Sequence, residues 1–252
     1  MVAQEVINFL ILCSFSLVFI IITLIVGARI IRRYFSTNSS VFLIIGVAWI
    51  GLSFPWLPEA FKFFFILFQV PLQEDFLILL YLGVNIMAAP IVLILWIYGT
   101  NKILSIKDKF KTALLMGTVV LTVIFEILII ALLPLNKDLI VARYVPEQYS
   151  IVWSDLIVVF QVILVVIVFL SGLMFARESL SSDNAEVKLK GKFIFIAFIS
   201  FVFGAVLEVF FTVADPIGLI FKIISRVILM SSSIEFFIGF IFPERIKKFL
   251  LK

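Results

Sequence analysis

Val6–Val26 reads VINFLILCSFSLVFIIITLIV, and no charged side chain interrupts it. At 1.5 Å per residue a helix of that length covers about 30 Å, the thickness of a bilayer's hydrocarbon core. The run is too long for the apolar centre of a secretory signal and no basic segment precedes it, so it reads as a retained first membrane helix. Six further apolar runs follow, at about 41–66, 76–100, 112–134, 151–175, 192–213 and 218–242. Composition agrees with repeated spans. Of the 252 residues 64% are apolar and 14% charged, against about half and a quarter in soluble domains. The expected fold class is all-α: one seven-helix transmembrane domain over residues 1–252.

Charge sets the expected orientation. Fifteen of the twenty Lys and Arg residues fall in alternate connections and the tail, at Arg29–Arg33, Lys102–Lys111, Arg177–Lys192 and Arg245–Lys252. The other side carries Lys137 and Arg143, while Lys62, Lys222 and Arg226 lie within spans. Basic residues gather on the cytoplasmic side, so the N-terminus is expected outside a cell membrane and the C-terminus in the cytoplasm. The cations sit in separate loops, which argues against nucleic acid as a partner. About ten residues follow the last span and connections stay under about 18 residues. The helix bundle itself is therefore expected to carry the function, with the lipid bilayer as its first partner.

An internal repeat is also readable. Residues 48–59, AWIGLSFPWLPE, and 197–208, AFISFVFGAVLE, align at an offset of 149, pairing Ala48 with Ala197, Ile50 with Ile199, Phe54 with Phe203 and Glu59 with Glu208. Repeats over 6–100 and 151–242, joined by a linker helix at 112–134, would run in the same direction, as in some transporters. A sequence rich in Phe and Ile also aligns easily with itself, and that alternative stands beside the repeat.

Charged groups inside a span cost about 2.5–3.5 kcal/mol on insertion scales and mark a cavity, a partner or a pathway. Counting 1.5 Å per residue puts Glu59 about 27 Å along the second helix, Glu126 about 21 Å along the fourth and Glu208 about 24 Å along the sixth. Asp155 and Lys222 lie about 6 Å inside their helices, and Arg226 about 12 Å. All fall in the outer half. Glu59 and Lys62, three apart, are expected to pair at headgroup level with Lys62 snorkelling outward, and Trp56 suits the same interface. Arg226 lies too deep to escape and must find an anion, for which Glu208 on the adjacent helix is the expected partner. No lysine is expected beside Glu208.

The expected polar cavity or ligand site thus comprises Glu208, Arg226, Glu126, Asp155, Lys222, Ser233, Asn85 and Gln161. Plainer readings accompany several of these: a sealed structural ion pair for Glu208 and Arg226, interfacial exposure for Asp155 and Lys222, and close helix packing for Ser233. Pro55, Pro58 and Pro90 are expected hinges. A straight second helix from Val41 to Gln69 would be about 43 Å long, so prolines 55 and 58 are expected to bend or break it near the outer boundary.

Much chemistry is excluded. There is no histidine and one cysteine, Cys13, so His-based nucleophilic sites and His- or thiolate-ligated metals are not expected. Neither is a cofactor. Retinal would need a lysine at the middle of the seventh helix, where Ile228–Ser231 stands, and an acid on the third, which has none. The chain is read as non-enzymatic.

Glu235–Lys252, EFFIGFIFPERIKKFLLK, resembles the exit of the seven-helix sensor modules that precede histidine kinases in archaea and bacteria. The shared pattern is a glycine-containing apolar helix, a proline and a basic amphipathic continuation, over 18 residues and without a following kinase. The resemblance implies a sensor or receptor-like bundle: a small ligand enters from outside, and the basic loops with the Ile246–Leu251 tail contact a cytoplasmic protein. The alternative is a small-solute transporter similar to the sugar-exporter type with two parallel triplets. A structural or assembly role is the third reading.

Overall fold

The computed structural model describes residues 3–70, 73–145, 150–211 and 216–250. The turns read at 70–75, 134–150 and 214–218, and the end of the tail at 251–252, fall wholly or partly outside those segments. The helices are α1 (Ala3–Thr37), α2 (Ser40–Leu52), α3 (Leu57–Leu67), α4 (Glu74–Tyr81), α5 (Ala88–Asn101), α6 (Asp108–Leu135), α7 (Asp155–Leu180), α8 (Ala185–Phe210), α9 (Pro216–Ile241) and α10 (Glu244–Leu250). Between α6 and α7 lies a hairpin of β1 (Val141–Val145) and β2 (Ser150–Trp153). Among the described residues seven spans are long and apolar enough to cross a membrane: α1, α2–α3, α4–α5, α6, α7, α8 and α9. The protein is a multi-pass integral membrane protein.

Two spans are interrupted, and each break has a proline beside it. Pro55 lacks an N–H and its ring bars the continuation of α2. The chain passes through a 3-10 turn at Phe54–Trp56, steadied by the Ser53 hydroxyl donating to the Ile50 carbonyl at 2.7 Å. Helix resumes at Leu57, with Pro58 in the first turn, where a missing N–H costs nothing. Between α4 and α5 runs a π-helical segment, Leu82–Met87. Its wider turn accommodates the carbonyl that an α-turn would drive into the ring of Pro90.

The spans close on themselves. α1 packs on α2 and α3, α2 on α5, α5 on α7, α7 on α8, α8 on α9, and α9 returns to α1. α6 stands outside this ring against α5, with Phe125 stacked on Phe160 of α7. Its outer face bears exposed Val120, Ile124, Ile127 and Ile130, a surface suited to lipid tails. Inside the ring Trp49 stacks on Phe236 with centroids 3.7 Å apart, Phe198 meets both rings edge-on, and Trp96 packs against Phe198 and Phe236. The Trp96 indole donates to the Ser171 hydroxyl at 3.0 Å. This aromatic plug fills the middle of the bundle.

The hairpin was not expected from the sequence, where 134–150 reads as a loop. Its strands pair antiparallel, with a register irregularity between Val141 and Arg143. Trp153 meets Tyr81 edge-on at 6.5 Å, so the hairpin caps the end of the bundle that holds the N-terminus of α1. At the opposite end Phe242 takes a positive φ of 48° ahead of Pro243 and turns the chain into α10. Arg33 donates to the Ile241 carbonyl at 3.1 Å, and Glu186 bridges Lys190 at 2.8 Å and Lys247 at 2.6 Å. The Glu186 carboxylate holds the Lys247 ammonium above the usual lysine range.

Gly239 and Gly117 make a paired test of this packing. A Cβ on Gly239 would lie 2.8 Å from the Ile194 nitrogen and 2.9 Å from the Lys190 oxygen, both backbone atoms that cannot yield, whereas one on Gly117 meets nothing within 4 Å. Gly239→Ala is expected to lower stability by about 1–3 kcal/mol through overpacking. Gly117→Ala should raise it by about 0.5–1 kcal/mol through helix propensity. Unfolding in detergent micelles reads both.

Candidate functional site

At the hairpin end the ring leaves a cavity of about 360 Å³, within the range of small-molecule sites. Much of its wall is apolar, with Phe9 and Leu12 from α1, Leu164 and Val168 from α7, and Phe201 and Ala205 from α8. Into this wall are set two charged clusters and an amide pair.

The first cluster centres on Arg226. Lys222 and Arg226, four apart, share one face of α9, and that face meets the last turns of α8, where Glu208 lies. Both terminal guanidinium nitrogens of Arg226 reach the Glu208 carboxylate, Nη1 to Oε2 and Nη2 to Oε1 at 3.2 Å. Lys222 Nζ donates to Oε1 at 2.8 Å. Arg226 Nε donates to the Ser16 hydroxyl of α1 at 2.8 Å, and the guanidinium lies over Trp56 at 5.9 Å. Arg226 has no exposed surface.

The second cluster centres on Glu59 of α3. Lys62, one turn on, pairs with its Oε1 at 2.9 Å, the Tyr81 hydroxyl donates to the same oxygen, and the Cys13 thiol approaches Oε2 at 3.7 Å. The Lys62 ammonium also sits over the Tyr81 ring at 5.4 Å. Between the clusters, Gln161 Nε2 donates to Asn85 Oδ1 at 3.1 Å, and Asn85 Nδ2 donates to the Pro55 carbonyl at 3.2 Å. Asn85 belongs to the π-helical segment, so the two interrupted spans are tied to each other and to α7.

The structure thus gathers Glu208, Arg226, Lys222, Asn85, Gln161 and Pro55 around one cavity. The other expected residues lie elsewhere. Asp155 is exposed in the first turn of α7. Glu126, half-buried on α6, has one carboxylate oxygen buried without a hydrogen-bond partner and does not line the cavity. Ser233 is buried and shares a hydrogen bond with Thr23 of α1 at 3.1 Å, which is a packing contact. Pro58 is buried in α3 and Pro90 in α5, and neither touches the cavity.

Three sequence expectations are corrected. Glu59 and Lys62 pair as expected at 2.9 Å, but Lys62 does not snorkel outward: it is 2% exposed, with its ammonium over the ring of Tyr81 from α4. Trp56 is 5% exposed and lines the cavity rather than the membrane interface. Glu208 does have a lysine beside it, and the four-residue spacing of Lys222 and Arg226 was the signal for it. Tyr81 and Cys13 had no sequence signal, since their role depends on contacts from distant segments.

Removing the Glu208 charge leaves Arg226 buried without its anion. Glu208→Gln is expected to cost about 3–5 kcal/mol of stability. Asp155→Asn, at an exposed helix start, should cost less than about 1 kcal/mol. Thermal unfolding of the two variants side by side measures the contrast.

No family model, no curated protein and no solved structure matches the chain.

Proposed function

We propose that the protein is a non-enzymatic sensor or receptor-like membrane module whose cavity at the hairpin end binds a small ligand. The observation that carries this reading is the gathering of two buried charged clusters around one cavity. Glu59, Lys62, Glu208, Lys222, Arg226, Asn85 and Gln161 converge on a cavity at one end. The middle of the ring is closed by Trp49, Trp96, Phe198 and Phe236. Charged groups kept at such cost inside a membrane protein serve a site or pathway, and the aromatic plug closes the ring below the cavity.

The excess of Lys and Arg at the opposite end supports an orientation with the hairpin end outside and the C-terminus cytoplasmic. The basic connections and α10 then form the surface for a cytoplasmic partner. A ligand that contacts α8 and α9 differently in two arrangements of the ring would shift the balance between them, and α9 runs directly into α10.

A second reading is a small-solute transporter with parallel triplets. It is favoured by one specific observation: Glu59 and Glu208, paired by the 149-residue offset, both line the cavity. Proteoliposomes loaded with sugars, amino acids or organic acids separate the two readings by counterflow. The sensor reading expects no flux above that of protein-free vesicles. Saturable flux that Glu208→Gln abolishes would overturn it in favour of the transporter.

A further inference from the structure

We infer that the cavity takes an amphipathic monoanion, a single carboxylate-like group on a compact apolar body; this rests on the cavity's being a ligand site. Charge is the first argument. Lys222 and Arg226, both lining the cavity, share one carboxylate, that of Glu208, an excess of one positive charge in that cluster. In a low-dielectric setting that excess is costly, and a monoanion cancels it.

Hydrogen-bonding capacity is the second. Both oxygens of Glu208 are taken by Arg226 and Lys222, and both of Glu59 by Lys62, Tyr81 and Cys13. Donors remain. Lys222 has three N–H bonds and gives one to Glu208, and its side chain keeps 16% of its surface exposed. The Trp56 indole N–H is buried without a partner in a residue that lines the cavity. A site whose carboxylates are engaged and which keeps donors to spare favours a ligand group that accepts. A sugar, which must donate as often as it accepts, fits poorly.

Shape is the third. The remaining wall is Phe9, Leu12, Leu164, Val168 and Phe201, which an inorganic anion would leave facing nothing it can use. A volume of about 360 Å³ corresponds to about a dozen water-sized groups at roughly 30 Å³ each. That suits a short aliphatic or aromatic acid.

The test uses the full chain in nanodiscs and three six-carbon probes of matched shape: hexanoate, hexan-1-ol and hexylammonium. Tryptophan fluorescence reads binding, with empty nanodiscs subtracted. Hexanoate is expected to saturate and to bind at least about tenfold tighter than either other probe, the equivalent of about 1.4 kcal/mol. Lys222→Gln, which brings the charge of the Glu208 cluster to zero, should lower hexanoate affinity by about tenfold and leave hexan-1-ol unchanged, again about 1.4 kcal/mol. Lys222→Arg should keep wild-type affinity, and Ala89→Trp, which fills the cavity, should remove binding of all three. If hexan-1-ol or hexylammonium binds as tightly as hexanoate, the anion inference falls and the ligand site stands. If no probe saturates, or if Ala89→Trp changes nothing, the ligand site falls with it.

Discussion

A guanidinium with no exposed surface lies inside this membrane protein, and one end of the bundle is arranged around it. Moving such an ion out of water costs several kcal/mol even after relaxation, and the cost is met only by good geometry and full hydrogen bonding. Arg226 has good geometry and engages three of its five N–H donors: a two-pronged pairing with Glu208 and a bond to the Ser16 hydroxyl, with the face of Trp56 beside it. These partners come from α8, α1 and the broken turn between α2 and α3. One side chain therefore specifies how four segments meet, which uniform Leu and Ile packing in lipid does poorly. Gly204 supports the arrangement by letting Leu229 approach α8, where Ser225 donates to the Gly204 carbonyl at 2.8 Å.

Polar and aromatic interiors are segregated along the bundle axis. Near the hairpin, water-sized space and charge coexist; at mid-depth, large rings interlock without room. The division follows from the residues available. Trp49, Trp96 and Phe236 are each among the fully or nearly fully buried side chains, and their stacking excludes solvent that would otherwise reach the basic end. α6 contributes to neither region, and its exposed aliphatic face leaves it as an outrigger on α5.

What could be read in advance divides along the same line as local and distant information. Apolar runs locate the spans, because a span is a local property of about twenty residues. Their ends were read short: α1 stays helical through Arg29–Arg33 to Thr37 and α8 begins at Ala185, since Lys, Arg and Glu are good helix formers where a helix leaves the membrane. The partnership of Arg226 with Glu208 was legible because adjacent helices and equal depth leave few alternatives. The burial of Lys62 was not legible, because it depends on Tyr81, which comes from a different span. The break at Phe54–Trp56, by contrast, was announced by Pro55 and Pro58. The π-helical segment that places Asn85 was hidden too, since Pro90 announces a disturbance and not its form.

The contacts between α1 and α9 have a mechanical meaning. Ser16 meets Arg226 and Thr23 meets Ser233, two pairs with the same separation of 210 residues, and Arg33 holds the Ile241 carbonyl near the far end. The two helices run side by side in the same direction, pinned at three levels like slats on a common frame. An axial slip of one residue, about 1.5 Å, would break all three pins together. A shear between α1 and α9 therefore costs three contacts at once, whereas α2–α3 and α4–α5 have backbone ladders already interrupted at Phe54–Trp56 and Leu82–Met87.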